Sequence, residues 1–463
     1  MAVERLDSSR TGPGIALATL GVGLSLLIGF SVGNQTPILL IALGGITLLG
    51  VVVAATFRPR ASLYILLTAT VTLPVVPITE SRGANVVDIL LLPALIGAWL
   101  FVPGPRDSDL HPEVLKAKRR LERATPLFVL TAIVSLIAVA FRGYPAWAGD
   151  SLLLLLRFVQ GLLFYVLAVR LLRPEDLPKV RNALVIGFLV NVLVNVYGIA
   201  FLQVPRAGVS WNLLNPEWFI SSPNEGGFTV SYLWAVLLAV PYRNRWATAA
   251  LFVISMLFLV ATASRSGILA WVTFVVLWGI VRRKSYILLL PLGLLAAFPL
   301  LPEAMSQRIT RTLTFQSGTF EVYSSLIRVY AWKTALVVVQ HNPILGVGYL
   351  CFRFFSSRYN ELTLNLGTVE NTLLETAAGT GIVGLSAALW LLLSIWRLSR
   401  AVGRWAAEGS PGRSLAVIAG PLFAAEFVSN LTGDTLTGMF SAAQLAVFCA
   451  MLVAGSRPRA TAP

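Results

Sequence analysis

The chain has 463 residues, 56% of them hydrophobic and 12% charged, with a mean hydropathy of +0.78, which excludes a soluble globular protein of this length. Apolar runs of about 20 residues, the length a helix needs to cross a bilayer, recur from end to end, where a closed β-barrel would show weak alternating segments. The net charge of +15 is that of a membrane protein with basic cytoplasmic loops, so it makes no case for nucleic acid.

In chain order, MAVERLDSSR carries a few charges ahead of the first span and reads as an uncleaved start, because the apolar segment behind it is too long for a typical signal peptide. About fourteen spans follow, near 14–32, 36–57, 61–79, 87–103, 125–141, 148–171, 181–203, 226–241, 246–262, 266–281, 285–301, 371–396, 413–430 and 435–455. The count falls to about twelve if the shortest are re-entrant or interfacial. The expected fold is therefore an all-α polytopic membrane protein of about 12–14 transmembrane helices. It divides into a first helical block (1–301), a long external segment (302–370) and a C-terminal helical block (371–463).

The external segment contains SSLIRVYAWKTALVVVQ, opened by serines and closed by Asn342-Pro343, which reads as an amphipathic helix. A second external loop, 204–225, is rich in Trp, Asn and Pro. Neither an internal repeat nor a low-complexity tract is present. Cys351 and Cys449 are isolated, and with two histidines no His-rich metal site can be built. A GxxxxGK[ST] phosphate loop and an HExxH zinc motif are both lacking, so neither metal nor cofactor is expected.

Positive charge tests this map independently of hydropathy. With the N-terminus in the cytoplasm, the inside loops hold RPR at 58–60, KAKRRLER at 116–123, RPEDLPKVR at 173–181, YRNR at 242–245, RRK at 282–284 and RLSRAVGR at 397–404. Of the 36 Lys and Arg, 25 then lie inside, 10 outside and one, Arg157, within a span, so every inside loop is basic as the positive-inside rule requires.

Against that rule, several ionisable groups gather near the outer face. Arg265 lies at the external mouth of a short hairpin, in VATASRSGILAW. Its plainer role is snorkelling to headgroups; the sharper one is binding an anion or a buried carboxylate. Arg157, in SLLLLLRFVQG, lies in the outer part of its span, where an internal salt bridge is the alternative to a ligand. Arg328 begins the external helix and has a solvated helix face as its alternative. Glu370 and Asn371 open the 371–396 span, where a carboxylate also suits the helix dipole. Glu375, four residues after Asn371, shares its face. Glu426 lies in the outer half of another span and fits a pairing with an arginine. Arginines hold phosphate oxygens bidentately, and a carboxylate beside them can take a proton from a hydroxyl. The combination points to transfer chemistry on a lipid diphosphate at the outer face.

Four stretches extend this reading: TASRSG at 262–267, IRVYAWKTAL at 327–336, NPILGVGYL at 342–350 and VENTLLETAAGTGIVG at 369–384. Their order, with Arg328 and Trp332 in the second, Gly346 and Gly348 in the third and Asn371 in the fourth, resembles the O-antigen ligase and O-antigen polymerase superfamily. The likeness covers residues 255–395 by motif and the whole chain by topology. It implies a polytopic glycosyltransferase of the GT-C type in the bacterial cytoplasmic (inner) membrane, with its active site facing outside. Such enzymes act on undecaprenyl-diphosphate-linked oligosaccharides without nucleotide sugar or metal, beside membrane lipids and other polysaccharide export and chain-length proteins. Arginines hold the diphosphate while an acceptor hydroxyl displaces it with inversion. By position, Arg265 matches the arginine of the hairpin and Arg328 that of the external helix. Arg157, Asn371, Glu375 and Trp332 join the substrate site, and Gly346 and Gly348 permit a tight loop turn.

One position departs from the family pattern. The ligases carry a histidine directly before the asparagine of the last motif, and this chain has Glu370 there. A glutamate can activate an acceptor only as a carboxylate base. His341, in QHNPILGVG, precedes a different asparagine. Polymerases are looser at this position, so the expectation is polymerisation of lipid-linked repeat units into a surface polysaccharide. The alternatives are an O-antigen ligase that transfers a finished glycan to the lipid A core, and a non-enzymatic transporter of lipid-linked glycans. The transporter class carries internal repeats and helices broken near mid-membrane.

Overall fold

The computed structural model describes residues 49–72, 74–79, 82–105, 107–201, 211–212, 223–262, 264–282, 320–361, 363, 366–432 and 439–458. The expected spans 14–32 and 285–301, most of 36–57, most of the loop 204–225 and the first part of the long external segment lie outside these residues.

The chain is a multi-pass, all-α membrane protein. In hydrocarbon every backbone N–H and C=O must be satisfied within the protein, and helices do this locally. The described helices are α1 (Leu49–Phe57), α2 (Pro59–Thr72), α3 (Val86–Phe101), α4 (Pro112–Phe141), α5 (Pro145–Leu171), α6 (Leu177–Phe201), α7 (Pro223–Ala239), α8 (Arg245–Ala261), α9 (Arg265–Arg282), α10 (Phe320–His341), the short α11 (Phe352–Phe355), α12 (Thr372–Trp405), α13 (Pro411–Thr432) and α14 (Met439–Gly455). Among the described residues six helices are long and apolar enough to cross a membrane. The pair α1 and α2, bent by 113° at the basic RPR turn, brings this to seven if it counts as one span.

The span expected over 61–79 is helical only to Thr72. Pro74 and Pro77 cannot donate to a helical ladder, and the β-branched residues between and after them favour extension. Residues Pro74–Thr79 form β1, which pairs antiparallel with β2 (Arg82–Asn85) and parallel with β3 (Trp211–Asn212). Hydropathy alone gave no sign of this small sheet.

Side-chain contacts sort the connections into two ends. At one, His111 stacks on Trp405 at 4.1 Å, Arg170 donates to the Ala98, Trp99 and Val102 carbonyls that finish α3, Arg181 donates to those of Val240 and Pro241, and Arg457 donates to that of Leu172. This end carries the KAKRRLER, RPEDLPKVR, YRNR and RLSRAVGR loops, so the loops expected on one side of the membrane do share one side. At the opposite end Arg142 reaches the Asn342 side chain at 3.3 Å and the Gly346 carbonyl at 3.2 Å, and the Tyr349 N–H donates to Ser135 Oγ at 3.0 Å.

At that opposite end α12 is broken. Gly381 has φ 65° and ψ −166°, which interrupts the helical ladder. The loop after α10 fills the gap: Val347 and Gly348 donate to the Ala378 and Gly379 carbonyls at 2.9 and 2.7 Å, and Ile382 donates to the Pro343 carbonyl at 2.8 Å. Glycine is required on both sides of this joint. A Cβ on Gly346 (φ 64°) would lie 2.4 Å from the Ala378 oxygen, and one on Gly381 would lie 2.1 Å from the Ile344 oxygen. The NPILGVG and GTGIVG motifs are thus two halves of one backbone joint, beyond the tight turn expected of Gly346 and Gly348.

Candidate functional site

The joint fixes the first turns of α12. Asn371 caps the helix, its side chain accepting from the Leu374 N–H at 3.1 Å, and Glu375 accepts from the Val369 N–H at 2.9 Å. Asn371 thus satisfies an orphan donor of the helix start, and Glu375 ties the approaching chain back to the first turn. The same turn is bolted to the end of α13. Asn371 donates to the Leu431 carbonyl at 3.4 Å, Thr372 donates to Asn430 Oδ1, and Asn430 donates to Glu426 at 2.9 Å. Asn371, Glu375, Glu426 and Asn430 are all buried.

Glu370 stands just outside this rigid start. Its φ of 50° is a left-handed conformation that costs a side-chain-bearing residue about 1–2 kcal/mol. The turn aims its carboxylate at α10, where Oε2 accepts from Arg328 Nε. The pair is only partly buried, with side-chain exposures of 22% for Arg328 and 37% for Glu370, so a ligand can reach both partners. Trp332 lies one turn along α10 from Arg328 on the same face, and its buried indole N–H has no acceptor among the described residues. His341 ends α10 exposed, with Nδ1 at 2.9 Å from the Val337 carbonyl and its ring near Tyr359.

Arg265 opens α9 and is exposed. The preceding turn is shaped by Ser264, whose hydroxyl accepts from the Gly267 N–H at 3.1 Å. Gly267 meets Gly227 of α7 backbone to backbone: a Cβ on Gly227 would lie 2.1 Å from the Gly267 Cα. Glu225, two residues ahead of that crossing, is buried, 8% exposed. α9 also packs along α13, which carries the Asn430–Thr372 link to α12. Arg328, Trp332, Gly346, Gly348, Glu370, Asn371 and Glu375 thus form one group on α10, the joint and α12, while Arg265 belongs to the neighbouring α7–α9–α13 group.

Arg157 has a carboxylate partner, Asp88 of α3 at 3.6 Å, and Gln160 donates to the same carboxylate at 2.8 Å. This is the internal salt bridge that its span position left open. The sequence reading passed over Asp88, Glu225 and Asn430. Asp88 and Glu225 had the signal used for Glu375, a carboxylate at the mouth of an apolar run; Asn430 had none.

The loop after the joint is packed on the α4–α5 turn. Arg358 donates to the Tyr144 hydroxyl at 2.6 Å, and Trp147 stacks on Tyr144 at 4.4 Å and on Phe354 at 5.3 Å. Cys351 is buried and donates to Ser151 at 3.2 Å. Burial pushes its thiol up to about 11, against the smaller downward pull of the Ser151 hydrogen bond, so it stays protonated at neutral pH and serves packing.

Comparison with known proteins bears on this same stretch. A family model described as O-antigen ligase matches residues 250–389, which takes in Arg265, Arg328, Trp332, Gly346, Gly348, Glu370, Asn371 and Glu375 but not Arg157 or Glu426. No curated protein matches the chain.

Proposed function

We propose, from the match of residues 250–389 to a family model described as O-antigen ligase, that this chain is of the O-antigen ligase and polymerase superfamily and polymerises lipid-linked oligosaccharide repeat units into a surface polysaccharide. Members of the family are glycosyltransferase-like membrane enzymes with lipid-linked glycan substrates. The donor in this reading is a glycan on undecaprenyl diphosphate, presented at the outer face of the cytoplasmic membrane. The acceptor is the non-reducing end of the next lipid-linked unit.

The observation that carries the reading is the Arg328–Glu370 pair at the capped start of α12. An incoming diphosphate competes with Glu370 for Arg328, because guanidinium binds phosphate and carboxylate oxygens in the same fork. Released, the carboxylate accepts the proton of the acceptor hydroxyl. That oxygen attacks the anomeric carbon, the glycosidic bond to the diphosphate breaks, and undecaprenyl diphosphate leaves with the electron pair. Arg328 and Arg265 offset its charge, with inversion at the sugar. Asn371 and Glu375 act by fixing the helix start that holds Glu370, and Trp332 offers its indole N–H to the bound substrate. In this reading Arg157, held by Asp88, supports the wall of the site.

The ligase reading has one observation in its favour, the description of the matching family model itself. One experiment separates the two: polysaccharide chain length in a strain lacking the gene, complemented with wild type, Arg328→Ala or Glu370→Gln. The polymerase reading expects chains of one repeat unit with either variant. Long chains that stay on the carrier lipid would establish the ligase instead. Full-length product with Glu370→Gln would remove Glu370 as the base.

A further inference from the structure

A cavity of about 810 Å³ lies between α4, α5, α12 and α14; one end is lined by Thr372 and Leu373, next to the start of α12, and the other by Arg170 and Arg457. Its size falls within the ~300–1,000 Å³ of small-molecule sites. Along α12 its lining runs from Thr372 to Ile395, roughly 35 Å at ~1.5 Å per residue, comparable with the hydrocarbon thickness of a bilayer. The walls are almost wholly apolar, from Phe128 and Phe158 to Leu391 and Leu445.

The charged groups collect at the basic end: Asp107, Lys118, Glu122, Arg170 and Arg457. Two of the cations there are already engaged: Arg170 by the carbonyls that end α3, and Lys118 by Asp107 at 3.0 Å and Glu122 at 3.1 Å. Arg457 differs. It is 7% exposed, it lines the cavity, and it donates to the Leu172 carbonyl at 3.2 Å. Its Nε, however, is buried with no acceptor among the described residues. The Tyr165 hydroxyl, on the same cavity wall and within electrostatic reach of Arg457, is likewise buried without a partner. Leaving two such groups unsatisfied costs about 1–3 kcal/mol each, more for the charged one. A phosphate oxygen satisfies both, since each can donate.

We propose that this cavity is a site for an anionic phospholipid of the leaflet at the basic end. Its phosphate sits on Arg457 and Tyr165, and an acyl chain runs up the cavity towards Thr376 and Tyr349. The lipid fills the gap beneath α12, whose start lies beside Glu370, and so joins α4, α5, α12 and α14 into one body. The proposal does not depend on the transfer reaction. A polyprenyl diphosphate donor would bring its charged group to the opposite end, so it is the competing occupant that the test must exclude.

Native mass spectrometry of the purified full-length protein tests this, with phosphatidylglycerol and phosphatidylcholine titrated in separately. The expected result is one tightly held phosphatidylglycerol per chain. Arg457→Gln and Tyr165→Phe should each weaken it by about tenfold or more, and Ala446→Phe, which fills the apolar wall, should abolish it. Tyr165→Phe keeps the ring and so keeps the test valid if the arginine variant fails to fold. Equal retention of phosphatidylcholine, retention unchanged in Tyr165→Phe, or a co-purifying polyprenyl diphosphate displaced by Ala446→Phe would each overturn the proposal.

Discussion

Arginines occur at both ends of the bundle, and their partners differ. At the basic end Arg181 is 9% exposed; it donates to the Val240 and Pro241 carbonyls and lies 3.7 Å over the Tyr242 ring. Arg170 is held in the same manner by carbonyls and by Trp99. Arg181 also donates to the neighbouring Asn182 Oδ1 at 2.9 and 3.1 Å, so these partners are carbonyls, an amide and aromatic rings, and an incoming anion could not replace the carbonyls without unmaking a helix end. At the opposite end Arg328 has, among the described residues, the Glu370 carboxylate as its partner, in a pair that is only partly buried. The number of cations therefore says little about function; whether the partner can be exchanged for a ligand says more.

The largest effect that can break this comparison is at the exchangeable pair. Glu370→Gln keeps a hydrogen-bond acceptor for Arg328 but removes the carboxylate that the proposed mechanism uses as base. Chain extension should fall ~10²–10⁴-fold, the usual size of a general-base contribution and about 3–5 kcal/mol of barrier. Thermal stability of the purified protein should not change. Both are read from one preparation, by product length and by a melting curve in detergent; a loss of stability in parallel with activity would make the pair structural like Arg181.

Next in size is the joint. Gly381→Ala combines a forbidden φ with a Cβ 2.1 Å from the Ile344 oxygen, and should cost about 2–4 kcal/mol. The break would shift, the loop 343–348 would lose its acceptors on α12, and both stability and activity should fall. An unchanged melting temperature would mean that the two glycine motifs are not one unit. Arg181→Ala is the counterpart at the basic end. It removes charge-assisted hydrogen bonds to two carbonyls and should cost about 2–3 kcal/mol of stability. Activity per folded molecule should remain that of wild type, measured after normalising to the monodisperse fraction.

These cases also mark what could be read from the chain alone. Within the described residues, the long apolar helices and the common side of four basic loops were legible, because desolvation of apolar runs and the placement of Lys and Arg act residue by residue along the sequence. The helix read over SSLIRVYAWKTALVVVQ was legible too: α10 ends at His341, directly ahead of Asn342-Pro343. The short sheet at 74–85 was lost inside an apolar run, because hydropathy does not distinguish strand from helix. The NPILGVG and GTGIVG motifs were visible as motifs, but their joint is made of backbone hydrogen bonds between segments some thirty residues apart, which no local pattern encodes. Likewise Glu370 was singled out by its place before Asn371. Its pairing with Arg328 depends on how α10 lies across the start of α12, a matter of tertiary packing. Arg157 and Asp88 are 69 positions apart and meet only through the packing of α3 on α5.

The smallest expected effect is the most direct control. Arg413 and Glu408 also form an arginine–carboxylate pair, at 2.9 Å, with side-chain exposures of 39% and 90%. Its chemistry matches that of Arg328–Glu370, but it sits at the basic end, in the first turn of α13, away from the joint between the loop after α10 and α12. Exposed pairs contribute little, because solvent screens them and two long side chains lose freedom to form them. Arg413→Ala should therefore change stability by no more than ~0.5 kcal/mol and leave product length untouched. A product-length defect in this variant, at unchanged protein level, would show that loss of any surface arginine pair impairs the enzyme. The distinction between exchangeable and fixed partners would then not hold.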